Sequence, residues 1–345
     1  MKKLFALLLS ALLLLTGCSV TITVSEPVEG SDDTLLVHFI DVGQADSILL
    51  EYGGKFLLID GGNREDGELV VSYLEQQGVQ ELEAGVCTHA QEDHVGGLPS
   101  VLAVYPTAAV YSPTKTYSSR IFDKFLVYVD QQRLDVTIPA PGDTLQLGDV
   151  SLTFLGPVKS YAETNNTSLV LKAVYGNTSF LFTGDMEKEA EADMLDYWGD
   201  RVDWQADLLK VGHHGSDTSS GYRFLNAVMP TYGIISVGTG NDYGHPHAEP
   251  LARLNQAEAV VARTDKLGHI IAHSDGQTVE LTWQNQNASP DAVTPADHTF
   301  IGNKNSKTLH TSLCGSLPSE KNRVIFESYE EAIAQGYRPC SGCLG

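Results

Sequence analysis

Residues 88–97 read Thr-His-Ala-Gln-Glu-Asp-His-Val-Gly-Gly, and no other segment constrains the fold as strongly. His89, Asp93 and His94 put two imidazoles and a carboxylate on one tight loop. A strand-like stretch, Gly85-Val86-Cys87-Thr88, leads into it, and the Gly-Gly pair behind it lets the backbone turn sharply. Three potential ligands so close together suggest a metal site at a strand end. Such a site is completed by groups from other strand ends that share the same sheet edge.

Candidates for those groups recur along the chain. Phe56-Leu57-Leu58-Ile59-Asp60 and Phe180-Leu181-Phe182-Thr183-Gly184-Asp185 are apolar runs ending in a carboxylate. Leu209-Lys210-Val211-Gly212 runs into His213 and His214, and His245 stands in Tyr243-Gly244-His245-Pro246. Asp60, followed by Gly61-Gly62, is expected to hydrogen-bond the ligand loop rather than touch metal. Hydroxyls and amides of Gly215-Ser216 and Ser219-Ser220 are candidate phosphate holders, while His38, His247, His269 and His273 receive a structural reading. Strands are expected over 35–40, 47–52, 55–60, 150–155, 168–175 and 178–182, with a hairpin turn at 175–178. Leu69, Val70, Tyr73 and Leu74 predict a helix over 68–77 closed by Gly78, and a second helix is expected over 187–197. Strands alternating with helices point to an α/β sandwich.

The 88–97 run resembles the His-x-His-x-Asp-His signature of the metallo-β-lactamase fold, with Gln91 in place of the second His. Within that superfamily, 38–47 (His-Phe-Ile-Asp-Val-Gly-Gln-Ala-Asp-Ser), 165–170 (Asn-Asn-Thr-Ser-Leu-Val) and 212–216 (Gly-His-His-Gly-Ser) are similar to the extracytoplasmic nuclease domain of the ComEC competence family. The resemblance covers roughly residues 35 to 283 and implies an αββα sandwich, placed here at 34–285. It further implies two divalent metals and hydrolysis of a phosphodiester in DNA. By this likeness His89 belongs to the first metal, Asp93 and His94 to the second, and Asp185 bridges both. Gln91 weakens the first site, and Asn165-Asn166, near where many members carry a further His, leaves it rich in oxygen, so Mn²⁺ becomes a candidate beside Zn²⁺. Asp60, Asp185, His213 and Asn166 form the expected catalytic group, and His214 and His245 are expected metal ligands. The second-metal role stays open between His245 and the His213–His214 pair.

The ends of the chain carry their own signals. Met1-Lys2-Lys3 followed by an apolar run to Leu15 reads as a signal peptide over 1–17. Leu15-Thr16-Gly17-Cys18 resembles a lipobox, so Cys18 is expected to carry lipid, with a tether over 18–33. The expected location is extracytoplasmic, anchored to a bacterial membrane. Residues 286–298 read as a linker. In 299–345, His310-x₃-Cys314 and Cys340-x₂-Cys343 make a two-plus-two zinc pattern, with Ser328 and Glu331 a capping box before the second pair. This small α+β module resembles the zinc-binding domain of the Ada DNA-repair family, with His310 at that family's first Cys. Cys87 stands apart and reads as a buried small hydrophobe.

The chain's 22 basic and 44 acidic residues, net −22, argue against broad attraction to nucleic acid, so DNA would be held by metal and local basic groups. The module is the basic exception: Lys304, Lys307, Lys321, Arg323 and Arg338 face Glu320, Glu327, Glu330 and Glu331. The expected protein is therefore a surface-anchored, metal-dependent phosphodiesterase acting on DNA beside DNA-uptake components. The alternatives are a cell-envelope phosphodiesterase acting on teichoic-acid phosphorylcholine, or a catalytically weak DNA-binding lipoprotein.

Overall fold

The computed structural model describes residues 33–292, 300–311, 314, 316–326, 329–341 and 343–344. The signal peptide, Cys18, residues 293–298 of the expected linker and Ser328 lie outside them.

In Lys55–Ile59, Leu57 and Ile59 face one core while Phe56 and Leu58 face another. Thr178–Phe182 repeats this, with Phe180 and Phe182 on one side and Leu181 on the other. Successive side chains of a strand point to opposite faces, so a strand buried on both reads as an unbroken apolar run. Two such sheets stack. Among the described residues the first has eight strands, ordered Val279–Trp283, Ile270–Ser274, Leu35–Phe39, Ile48–Tyr52, Lys55–Ile59, Ala84–Val86, Val110–Tyr111 and Val136–Thr137. The second has seven, ordered Val260–Arg263, Tyr232–Ile235, Leu208–Lys210, Thr178–Phe182, Val170–Tyr175, Val150–Gly156 and Thr144–Leu147. Val37, Phe39 and Leu50 of one meet Leu152, Phe154 and Phe180 of the other in a shared core.

Helices cover the outer faces. Gly67–Gln76, Leu98–Val104 and Arg120–Gln131 pack on the first sheet, and Lys188–Trp198, Tyr222–Val228 and Ala248–Gln256 on the second, completing an αββα sandwich. The helix Gly67–Gln76 buries Val70, Tyr73 and Leu74 at helical spacing. It ends where Gly78 takes φ +77°, with Val79 N–H donating to the Leu74 carbonyl and Gly78 N–H to that of Glu75, both at 3.0 Å.

Parallel pairing places the site. Lys55–Ile59 runs parallel to Ala84–Val86, and Thr178–Phe182, Leu208–Lys210 and Tyr232–Ile235 run parallel to one another. Parallel strands bring their carboxyl ends to one edge. Asp60, the 88–97 loop, Asp185, His213–His214 and the loop carrying His245 therefore emerge together. The two Gly-Gly pairs make the close contact there possible, since a Cβ on Gly97 would overlap the Gly61 carbonyl.

The C-terminal module is a four-stranded sheet, ordered Arg323–Phe326, Phe300–Asn303, Thr308–Thr311 and Arg338–Pro339, with the helix Tyr329–Ala334. The described part of the expected linker is fastened to the sandwich: Trp283 Nε1 donates to the Ala288 carbonyl at 3.0 Å, and Lys266 Nζ lies 2.7 Å from Asp291. Tyr222, the first residue of its helix, is buried among module residues, its ring centroid 5.1 Å from that of Phe300 and 5.2 Å from that of Tyr329. Burying such a side chain stabilises by about 2–3 kcal/mol, so the module is docked rather than strung on a leash.

Candidate metal centre

Thr88 begins the ligand loop, and Asp60 locks it. Thr88 N–H donates to Asp60 Oδ1 at 2.7 Å, Thr88 Oγ1 to Oδ2 at 2.6 Å, and His94 Nδ1 to the same Oδ2 at 2.8 Å. With Nδ1 occupied, His94 turns Nε2 toward Asp185 Oδ1 (3.3 Å) and Asp93 Oδ2 (3.7 Å). His214 is fixed in the same manner: its Nδ1 donates to the Ser236 carbonyl at 3.0 Å and lies 3.5 Å from Asp46 Oδ1. Its Nε2 faces Asp93 Oδ2 at 3.3 Å and Asp185 Oδ2 at 3.6 Å. Ligands each about 2.0–2.2 Å from a tetrahedral ion lie about 3.3–3.6 Å apart, which these spacings match. Asp93, His94, Asp185 and His214 therefore form one four-ligand cradle. Its fit to a cation is also visible in orphaned atoms, because His94 Nε2 and Asp185 Oδ1 are buried with no hydrogen-bond partner.

Asp185 stands at the hub. Its amide N–H donates to Ser168 Oγ at 3.0 Å, which aims the carboxylate, and its Oδ2 also lies 4.0 Å from His89 Nε2 and 3.8 Å from His213 Nε2. His89 Nε2 is a third orphaned buried atom. On this side of Asp185, Gln91 Nε2 donates to Asn165 Oδ1 at 2.9 Å, and Asn165 Nδ2 lies 3.4 Å from the His213 ring nitrogens and 3.3 Å from Glu187 Oε1. His89, Gln91, Asn165 and His213 thus gather on the far side of Asp185, more loosely than the four-ligand cradle. Asn166 does not join them, because its Oδ1 accepts the Glu187 N–H at 3.0 Å and the side chain is spent on holding that loop.

His213 and His214 part because of their backbone. Both sit in the left-handed region, at φ 48° and 51°, followed by Gly215 at φ 80°. Two consecutive non-glycine residues there cost on the order of 1 kcal/mol or more each. The loop is held by His213 N–H to the Gly184 carbonyl (3.2 Å), Ser216 N–H to the His213 carbonyl (2.8 Å) and His247 N–H to the Gly215 carbonyl (2.9 Å). Farther along, buried Glu191 accepts Ser220 N–H and Gly221 N–H, and Arg253 donates to the Ser219 and Ser220 carbonyls. Ser219 Oγ donates to the Met186 carbonyl, so it serves the scaffold.

His245 lies outside the four-ligand cradle, its ring centroid 5.4 Å from that of His213 and 6.5 Å from that of His214. Gln44 Oε1 accepts the Gly238 N–H, which turns the Gln44 amide nitrogen toward His245 Nδ1 at 3.3 Å. Nδ1 is thereby an acceptor, and the ring proton resides on Nε2.

The electrostatics follow from burial opposed by charge. Burial works against the charged form of His94 and His214, but Asp185 with Asp93 and Asp60 holds His94 well above the ordinary imidazole value, and Asp185 with Asp46 and Asp93 raises His214 to about 10. Burial and the neighbouring His94 push His89 down to about 3, and burial with His213 and His214 takes His245 down to about 4. Asp185 is held well below the usual carboxylate range because the imidazoles outweigh its burial.

Several contributors escaped the sequence reading. Asp46 is fully enclosed, with Lys210 Nζ 2.8 Å from its Oδ2 and His214 beside its Oδ1. Glu187 lies 3.3 Å from His213 Nδ1. The available signal was Lys210 itself, a lysine inside the apolar run Leu208-Leu209-Lys210-Val211, which needs a buried partner. Cys87 is buried, its Sγ directed at the His89 carbonyl at 3.0 Å.

In the module, ligand atoms of His310, Cys314, Cys340 and Cys343 all lie within 4.8 Å of one another, with His310 Nδ1 3.3 Å from Cys314 Sγ. None of these cysteines is in a disulfide. The amides of Cys343 and Leu344 turn back onto the Cys340 carbonyl at 3.2 and 2.8 Å, shaping the knuckle. Three thiols and an imidazole are a structural zinc set. Two of the module's cations are engaged within it: Lys307 lies over the Tyr337 ring, and Arg323 Nε donates to the Pro318 carbonyl.

Comparison with known proteins identifies both domains. Residues 40–239 match the Metallo-beta-lactamase superfamily and residues 285–344 the Metal binding domain of Ada. The chain is similar to ComE operon protein 3 of Bacillus subtilis (34% identity, covering 68% of this chain and 32% of that protein). It is also similar to Recombination protein 2 of Haemophilus influenzae (28%, covering 75% and 31%) and Competence protein ComA of Neisseria gonorrhoeae (30%, covering 66% and 30%). It thus spans about a third of the length of these curated relatives. Among solved structures, the metallo-beta-lactamase fold protein YhfI of Bacillus subtilis is 14% identical, covering 70% of this chain and 100% of that one, with a TM-score of 0.48. The chain belongs to the metallo-beta-lactamase superfamily of metal-dependent hydrolases, in a branch related to competence proteins, and carries an Ada-type zinc-binding domain at its C-terminal end.

Proposed function

We propose that the protein is a phosphodiesterase that cleaves DNA outside the cytoplasm, held to the membrane by lipid on Cys18. The observation that carries this reading is the four-ligand cradle of Asp93, His94, Asp185 and His214, with His89 and His213 beside Asp185, joined to a sequence relationship with competence proteins that extends over most of the sandwich. Asp93, His94, Asp185 and His214 would hold a divalent ion, with His89 and Asp185 candidates to hold another beside it, and such ions when bound would supply an activated water and a clamp on phosphoryl oxygens. The chain's own groups orient and move protons. Asp60, Asp46 and the Ser236 carbonyl keep the Nε2 atoms of His94 and His214 aimed at the centre. His245 Nε2–H is a donor for a non-bridging phosphoryl oxygen, fixed by Gln44. His213, backed at Nδ1 by Glu187 and Thr218, is the group we assign to pass a proton to the leaving oxygen.

The acid excess of the chain, net −22, favours a second reading in which the same centre hydrolyses a smaller cell-envelope phosphodiester such as teichoic-acid phosphorylcholine. The test is to offer purified, metal-loaded protein linear single- and double-stranded DNA alongside a choline-phosphate-bearing teichoic acid. Metal-dependent cleavage of DNA supports the first reading. Turnover confined to the teichoic acid replaces it with the second, and binding of DNA without any turnover would make the protein a DNA-binding lipoprotein.

A further inference from the structure

Five of the loops that build the centre, residues 41–47, 88–97, 163–168, 213–221 and 238–247, contain no lysine or arginine, and the basic residues nearest in sequence to the remaining two, Arg64 after Asp60 and Lys188 after Asp185, begin helices. A polyanion reaching the metals therefore finds no side-chain cation on these loops to grip its neighbouring phosphates. What the rim offers instead is a ring. Tyr243 is 69% exposed, the most exposed of the large hydrophobic side chains among the described residues. Its ring lies 5.6 Å from that of His245 at an interplanar angle of 25°, and His245 in turn lies at 26° to His214, a member of the four-ligand cradle. Rings stacked pairwise thus lead from solvent to the metal centre.

The loop bearing Tyr243 is rigidly built. Asn241 Oδ1 accepts the N–H groups of Tyr243 (3.2 Å) and His245 (3.0 Å), while Asn241 Nδ2 donates to the carbonyls of His245 (2.7 Å) and Gly238 (3.0 Å). His247 Nε2 contacts the Tyr243 carbonyl at 3.2 Å, and its Nδ1 accepts the Asp217 N–H at 3.0 Å. An aromatic ring held in place with one face on His245 and its surroundings open to water is a stacking platform.

Resting on the reading of the protein as a DNA phosphodiesterase, we propose that Tyr243 stacks an unpaired nucleobase next to the scissile phosphate. The substrate is then a single strand or a frayed end, since a base held in a duplex has no free face to offer. Stacking also fits the acidic chain, because it needs no counter-charge and responds weakly to salt.

The test uses metal-loaded full-length protein, an oligodeoxythymidylate, and an oligomer of the same length in which every base is replaced by an abasic tetrahydrofuran unit. Wild type should cleave the base-bearing strand with kcat/KM about tenfold higher, the effect residing in KM. Tyr243→Ala should lose that preference, the ratio of kcat/KM for the two strands falling to about one whatever its absolute rate, and Tyr243→Phe and Tyr243→Trp should keep it. As a binding readout, 2-aminopurine in the strand should be quenched on binding to Asp93→Asn protein and not when Tyr243→Ala is added to that variant. Equal cleavage of the two strands by wild type, or an undiminished preference in Tyr243→Ala, overturns the assignment while leaving the DNA reading intact. Failure of wild type to cleave either strand, with turnover of teichoic acid, overturns both.

Discussion

Replacing Asp60 by Asn isolates the one hydrogen bond that aims His94. In the native site Asp60 accepts three bonds, from Thr88 N–H, the Thr88 hydroxyl and His94 Nδ1–H. An asparagine retains an oxygen for the Thr88 amide but presents an NH₂ group to the other two. The hydroxyl can rotate and accept. The imidazole can accept only by carrying its proton on Nε2, the atom that faces Asp93 and Asp185. Binding a cation then requires giving up the bond at Nδ1, where a hydrogen bond to a charged group is worth about 1.5–3 kcal/mol, or about 10- to 150-fold in affinity. Outer partners of metal-bound histidines typically contribute about 10- to 100-fold, in the same range. Folding should change little in Asp60→Asn, whereas Asp60→Ala strands the Thr88 N–H and should cost about 1–3 kcal/mol. Competition titration against a chromophoric chelator reads the affinity, with Mn²⁺ as probe because the thiolate-rich module disfavours it. Urea midpoints of the same preparations report folding. A Mn²⁺ affinity within twofold of wild type in a folded Asp60→Asn protein would refute the claim that Asp60 sets the His94 tautomer.

Asp185→Asn should lower turnover by about a thousandfold, since several kcal/mol of charge stabilisation leave with the carboxylate, while the circular dichroism spectrum stays native; near-normal rates would remove Asp185 from the centre. Lys210→Met strands the enclosed Asp46 carboxylate and should cost about 3–5 kcal/mol in urea denaturation, largely recovered by adding Asp46→Asn; an unmoved midpoint would show that His214 alone suffices for Asp46. Gln91→His should shift metal preference toward Zn²⁺, measured by metal content after equilibration with mixed ions, and an unchanged ratio would place residue 91 outside the coordination sphere. Cys340→Ser combined with Cys343→Ser should lower bound zinc by one ion per chain, and an unchanged zinc count would put that ion elsewhere.

The parts of this centre legible in the sequence were those announced by a change of pattern. Asp60 and Asp185 stand where an apolar run stops, and the run stops because the strand leaves the core. The histidines were visible as candidates, but their division of labour was not. His213 and His214 take left-handed backbone conformations that their residue type does not announce, and that geometry sends one ring to Asp93 and the other to Glu187. Asn165 and Asn166 are indistinguishable on paper, and only the turn at residues 165–167 decides which faces inward. The Asp46–Lys210 pair joins the two sheets, so neither residue's neighbours in sequence hint at the other. Nothing in the sequence singles out Tyr222, because docking between domains leaves no local periodicity.

Tyr222 belongs to the sandwich by chain connectivity and to the small module by packing. Nine residues earlier the same chain carries His213. A zinc-starved molecule whose module melts would uncover Tyr222 and Phe300 together, turning the seam between its domains into an adhesive patch. Loss of zinc is thus expected to show itself twice, as melting of the module and as association between chains.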